Sequence, residues 1–138
     1  MIPPAWSSYP NFEELEFDSP DVPGSGANMS YHTISKLQHA RTIAQVKFTI
    51  TSGYRTLRHN DEVGGVHGSA HTLGYACDIS THHGLFTFEI LEGLIRADFK
   101  RIGLIMSEDL STDKLLVVAI HVDDDPERGR ELVWTSRV

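Results

Sequence analysis

Leu115-Leu116-Val117-Val118-Ala119-Ile120-His121-Val122-Asp123 is almost wholly apolar, broken only by His121 and Asp123. It is rich in β-branched residues and too short to cross a membrane as a helix. It therefore reads as a strand at the centre of a sheet. Side chains alternate along a strand, so His121, Asp123 and Asp125 are expected on one face. A titratable group at the end of such a run is unusual unless it has a partner.

Outward from this strand, residues 102–106 read as another strand and residues 131–134 as a last one. Residues 46–51 alternate apolar and polar, and residues 75–80 read as a further short strand. Ile34, Leu37, Ala40 and Ala44 fall at helical spacing within residues 29–44. A second helix is expected after Thr87 as its cap, with Ile90, Leu91, Leu94 and Ile95 as its apolar stripe. The reading is an α+β domain: a mainly antiparallel sheet flanked by two helices. Residues 52–74 hold five glycines and read as a long loop, which inside a compact domain usually carries function. Residues 1–28 hold five of the six prolines and read as an irregular arm, anchored by Phe12, Leu15 and Phe17 on a domain at residues 29–138.

Composition narrows the function. The 138 residues fit one domain, and 40% apolar with 22% charged residues is an ordinary globular balance. The formal net charge of -7 argues against nucleic acid as a partner, because phosphate attraction needs a basic face. Cys77 is the single cysteine, so no internal disulfide forms; it alternates away from Asp78 and reads as core packing rather than a nucleophile. No window approaches the ~20 apolar residues of a membrane span. The N-terminal MIPPAWSSYPNFEELEF lacks the basic start and apolar run of a secretory signal. If the substrate lies outside the cytoplasm, delivery by a phage is expected, through lysis or on a virion. The chain is expected to act as a monomer.

The chemistry concentrates in Gly68-Ser69-Ala70-His71-Thr72-Leu73-Gly74-Tyr75-Ala76-Cys77-Asp78-Ile79. It places a histidine on a loop and an aspartate on the strand that follows. Gly74 between them permits a tight turn. Imidazole nitrogen and carboxylate oxygen are zinc ligands, and His121 is the best placed third donor. Three protein ligands leave a fourth position for water, as in catalytic rather than structural sites. A histidine seven residues before an aspartate is also a common accident, and His121 fits a hydrogen-bonded core histidine equally well. Spacing alone leaves both readings open.

Further segments narrow the choice. Ile50-Thr51-Ser52-Gly53-Tyr54-Arg55, then Asn60 and Val63-Gly64-Gly65-Val66, then Ser69-x-His71-x-x-Gly74-x-Ala76-x-Asp78, then Phe99-Lys100-Arg101-Ile102-Gly103 and Ile120-His121-Val122-Asp123 occur in that order. Together, over roughly residues 29–134, they resemble the zinc D-alanyl-D-alanine carboxypeptidases and L-alanyl-D-glutamate endopeptidases of bacteria and phages. The resemblance implies zinc held by His71, Asp78 and His121, and a peptidoglycan stem peptide as substrate. It implies that Arg55 contacts substrate and stabilises charge on the attacked carbonyl, which suits a guanidinium's paired hydrogen bonds. Ser69 is expected to orient the loop or His71 rather than act as a nucleophile. A carboxypeptidase must capture a terminal carboxylate and an endopeptidase needs an open groove; the sequence leaves both open.

Two departures stand out. Several members of that family carry a proton acceptor a few residues before the third ligand, whereas residues 115–120 here cannot take a proton. Asp123 is then the first choice for the base, with holding an imidazole or an arginine as its competing role; Glu108, Asp109 and Asp113, read as a preceding loop, come after it. The second departure is at residues 17–22, where some relatives carry cysteines. Their absence argues against a second, structural metal site. Of the other histidines, His32 and His39 are expected on a helix surface, His59 and His67 in the Arg55 loop, and His82 and His83 along the cleft or in solvent. Trp134 is read as a packing anchor, and a non-catalytic zinc-containing cell-wall-binding or virion module is the alternative function.

Overall fold

The structure, a computed structural model, describes residues 2–129 and 131–138. Its elements run α1 (Tyr31–Ala44), β1 (Thr49–Ser52), α2 (Leu57–Glu62), β2 (Ala76–Ser80), α3 (Thr87–Arg96), β3 (Arg101–Asp109), β4 (Lys114–Asp123) and β5 (Leu132–Arg137). The five strands form one sheet in the order β1-β2-β4-β3-β5. The apolar run is the central strand, as its composition implies. All pairings are antiparallel except β3 with β5. The α+β architecture with a mainly antiparallel sheet is therefore as read from the sequence.

Period-two alternation sorts the sheet into two faces. Cys77 and Ile79 of β2, Ile102 of β3, and Ile120 and Val122 of β4 are buried in the core with α1 and α3. Asp78, Gly103 and His121 alternate to the other face. On α1, Ile34, Leu37, Ala40 and Ala44 are buried; on α3, Ile90 and Leu94. The two helices cross closely at Gly93, where an added Cβ would lie 2.5 Å from the Ala40 carbonyl oxygen. Such packing makes the scaffold stiff, and truncating Ile120 to alanine would cost about 2–5 kcal/mol.

The arm is half as expected. Phe12 and Phe17 are buried and stack edge-on at 5.7 Å. Leu15 is 69% exposed and anchors nothing, because the 3-10 turn Glu14–Phe17 turns it to solvent. Several boundaries also move. Val46 and Lys47 precede β1 rather than belong to it. The long loop is partly helical, holding α2 and the 3-10 turn Ala70–Leu73. Thr56 caps α2 by accepting from the His59 amide. Thr87 is the first residue of α3 and not its cap; its hydroxyl donates backward to the Gly84 carbonyl.

Candidate metal centre

Register places the site. Asp78 pairs with His121 across β2 and β4, and Gly103 pairs with His121 across β3 and β4. His71 reaches the same face from the 3-10 turn before β2. Ser69 starts that turn by accepting from the His71 amide at 3.3 Å, and Gly74 ends it at φ 82°, in the left-handed region. Local chemistry thus fixes where His71 stands.

The tautomer of His71 is fixed as well. Its Nδ1 lies 2.8 Å from the Gly53 carbonyl oxygen, which can only accept. Nδ1 therefore carries the proton and Nε2 presents a lone pair. That Nε2 lies 3.3 Å from Asp78 Oδ1. His121 Nδ1 lies 2.9 Å from the same oxygen. Nitrogen and oxygen donors of His71, Asp78 and His121 all fall within 4.8 Å of one another. The carboxylate oxygen and the His71 lone pair both offer electrons into one small volume, an arrangement able to hold a cation. Two imidazoles and a carboxylate suit zinc, with room for water. The residues present fit the metal.

The outer groups are arranged around this centre. His121 Nε2 lies 2.9 Å from Asp123 Oδ2, while Arg101 Nε donates to Asp123 Oδ1 at 2.9 Å. Asp123 is 2% exposed. Arg55 donates from Nε to Ser52 Oγ at 3.1 Å and from Nη1 to Asn60 Oδ1 at 3.3 Å; its Nη2 stands 3.5 Å from Asp78 Oδ2. Gly65 leaves space for this brace, since a Cβ there would meet Asn60 Oδ1 at 2.1 Å.

Charge follows geometry. Burial disfavours a charged Asp78, but the hydrogen bond from His121 and the company of the His71 imidazole outweigh it and hold the carboxyl below the usual range. Burial likewise opposes a charged His121, yet hydrogen bonds to Asp123 and Asp78 prevail and raise it to about 9. Asp123 is pulled down by His121 and Arg101 against its own burial. Without metal, His121 is thus an imidazolium between two carboxylates.

Sequence reasoning brings Arg55, Ser69, His71, Asp78, His121 and Asp123 to one place. Asp125 does not share the strand face: it lies past β4 and accepts from Arg128 Nε at 3.0 Å. Glu108 and Asp109 lie within β3, not a loop, at the far end of the β3–β4 ladder where Asp109 pairs with Lys114. About six residues of strand separate them from Gly103, roughly 20 Å, so they are remote from the site together with Asp113 in the adjoining turn. His82 and His83 are exposed, as are His32, His39 and His67, while His59 is half-buried. Cys77 is fully buried, and burial pushes its thiol up, away from nucleophilic character.

Three contributors were missed. The Gly53 carbonyl orients His71, and a backbone group leaves no composition signal. Arg101 stands beside Asp123 only through the pairing of β3 with β4, which no local sequence feature announces. Trp134 is no core anchor; its ring lies 5.4 Å from that of His121.

No curated protein matches this chain. The model of the Peptidase M15 family matches residues 12–111, which include Arg55, Ser69, His71 and Asp78 and end before His121. The match covers most of the length and includes two of the three converging donors, so the chain belongs to the Peptidase M15 family.

Proposed function

We propose that the protein is a zinc peptidase that hydrolyses peptide bonds in peptidoglycan stem peptides, with His71, Asp78 and His121 as the ligands. One observation carries this reading: two imidazoles converge on Asp78 Oδ1 while the other nitrogen of His71 is committed to the Gly53 carbonyl. Family membership supports it, since peptidases of this family depend on zinc. When bound, zinc supplies a Lewis acid that polarises a carbonyl and brings the pKa of a coordinated water toward ~7.

The chain's own residues do the rest. Arg55, braced by Ser52 and Asn60, aims one end of its guanidinium at the metal centre. There it meets a carbonyl or carboxylate oxygen of the substrate and steadies developing negative charge. Ser69 holds the turn that carries His71. Of the two roles open to Asp123, its partners favour holding: one oxygen is given to His121 and the other to Arg101. It makes His121 a stronger ligand and fixes its ring.

The test is peptide release from purified sacculi. Zinc-loaded protein should release stem-peptide fragments with new amino termini. Treatment with a chelator should stop release, and added zinc should restore it. No release from the zinc-loaded protein removes the enzyme reading. The same engagement of Asp123 favours a second reading, a zinc-containing module that binds cell wall without cutting it. Co-sedimentation with sacculi and no released peptide would select that one.

A further inference from the structure

We propose that the indole of Trp134 is the substrate-facing wall of the metal centre and selects a small apolar side chain beside the scissile bond. This rests on the peptidase reading. The row of residues across the sheet carries it. Asp78 pairs with His121, His121 with Gly103, and Gly103 with Trp134. Gly103 is the one position in that row without a side chain. A Cβ added there would lie 2.7–2.9 Å from three atoms of the indole. The missing side chain lets the ring lie flat over β3 and reach His121, 5.4 Å away between centroids.

The ring is also held from another side. The Arg101 guanidinium carbon lies 5.2 Å from the indole centroid, a cation–π distance. Arg101 is fixed by Asp123, which in turn fixes His121. Indole and metal ligand thus hang on one chain of contacts. A ring serving only as filler would sit in the apolar core. Trp134 is outside that cluster, and its ring neighbours are His121 and Arg101.

The space the ring borders defines the ligand. A cavity of about 240 Å³ lies against His121, lined by the apolar Val66, Ala70 and Trp134 and by the polar Ser69, Arg101, Asp123 and Arg128. Its volume is below that of a pocket for a drug-sized ligand and suits one short side chain. The flat aromatic wall gives apolar contact without a hydrogen-bond demand. A bulky side chain would have to displace the indole, which Gly103 and Arg101 hold.

The test uses the zinc-loaded full chain in two arms. Trp6 and Trp134 are the two tryptophans. In Trp6→Phe protein the emission reports Trp134 alone. Titration with soluble stem-peptide fragments of peptidoglycan should shift or quench it saturably. In the second arm, Trp134→Ala should raise KM roughly tenfold with kcat changed less than about threefold, and Trp134→Phe should recover most of the loss. Zinc content should match wild type in both variants, and melting curves should establish that they are folded. Emission blind to the fragments overturns the proposal. So does a Trp134→Ala enzyme with unchanged KM, or one whose defect is lost zinc. If wild-type protein releases no peptide, the hydrolase reading fails by itself, and the emission arm still decides Trp134.

Discussion

Asp123→Asn keeps the shape of the side chain and removes its charge. Asp123 now accepts from His121 Nε2 and Arg101 Nε, each at 2.9 Å, with 2% of the side chain exposed. An amide can accept from only one of them, and its NH2 faces the other donor. The loss of one buried charge-assisted hydrogen bond is worth about 1.5–3 kcal/mol, or roughly 10–100-fold in zinc affinity. Asp123 also strengthens the hold of His121 on its proton, so at neutral pH the lost competition from that proton offsets part of the effect. The assay is therefore competition with a chromophoric chelator near pH ~10, above the His121 value of about 9, where little of that imidazole is protonated. Peptide release at saturating zinc should then return to within a few-fold of wild type. A general base would behave in the opposite way, with zinc affinity unchanged and turnover down by roughly 10²–10⁴ at any zinc concentration. That second pattern would refute the holding role.

Two further outcomes follow from the same geometry. The folded pKa of His121 stands at about 9 against an ordinary 6.5, so its contribution to the metal-free fold is complete below about 6.5 and lost as pH rises through 9. Asp78 is depressed, so its contribution is present above its ordinary 3.8 and lost on acidification. Thermal melts of chelated protein should peak between these limits and fall toward pH ~9; a melting temperature still rising there would contradict the assignment. Zinc uptake near pH 7 should release about one proton, giving close to tenfold tighter binding per pH unit, and calorimetry in two buffers of different ionisation enthalpy measures it. Cys77→Ser should cost about 1–3 kcal/mol in denaturant melts, because a hydroxyl enters a fully buried apolar site, while zinc content and peptide release persist. Loss of activity in a well-folded Cys77→Ser protein would reopen a chemical role for the thiol.

The sheet was legible because its signals are local. Residues 115–120 are too apolar for anything but a strand of the sheet, although only Ile120 among them is fully buried and Leu115 is 46% exposed; the alternation of Cys77, Asp78 and Ile79 sorts core from site without any tertiary knowledge. The proposed ligand set rests on the ordered segments rather than on spacing. What escaped depends on register. Nothing local to Arg101 says that it stands beside Asp123, and nothing local to Trp134 says that Gly103 makes room for it. Both facts come from pairing of strands distant in sequence. Leu15 was misplaced for a related reason: a 3-10 turn changes which side chain faces inward, and the apolar residue itself does not announce the turn. α2 was hidden by a mostly polar six-residue sequence, Leu57–Glu62, held by the Thr56 cap and by the hydrogen bonds of buried Asn60 to Arg55 and the Val66 carbonyl.

The centre itself is tested most directly by elemental analysis of zinc in purified wild-type protein beside His71→Ala and His121→Ala. Wild type should carry about one zinc per chain and both variants far less, since each loses one of three ligands. Equal zinc in all three proteins would contradict a metal held between His71, Asp78 and His121.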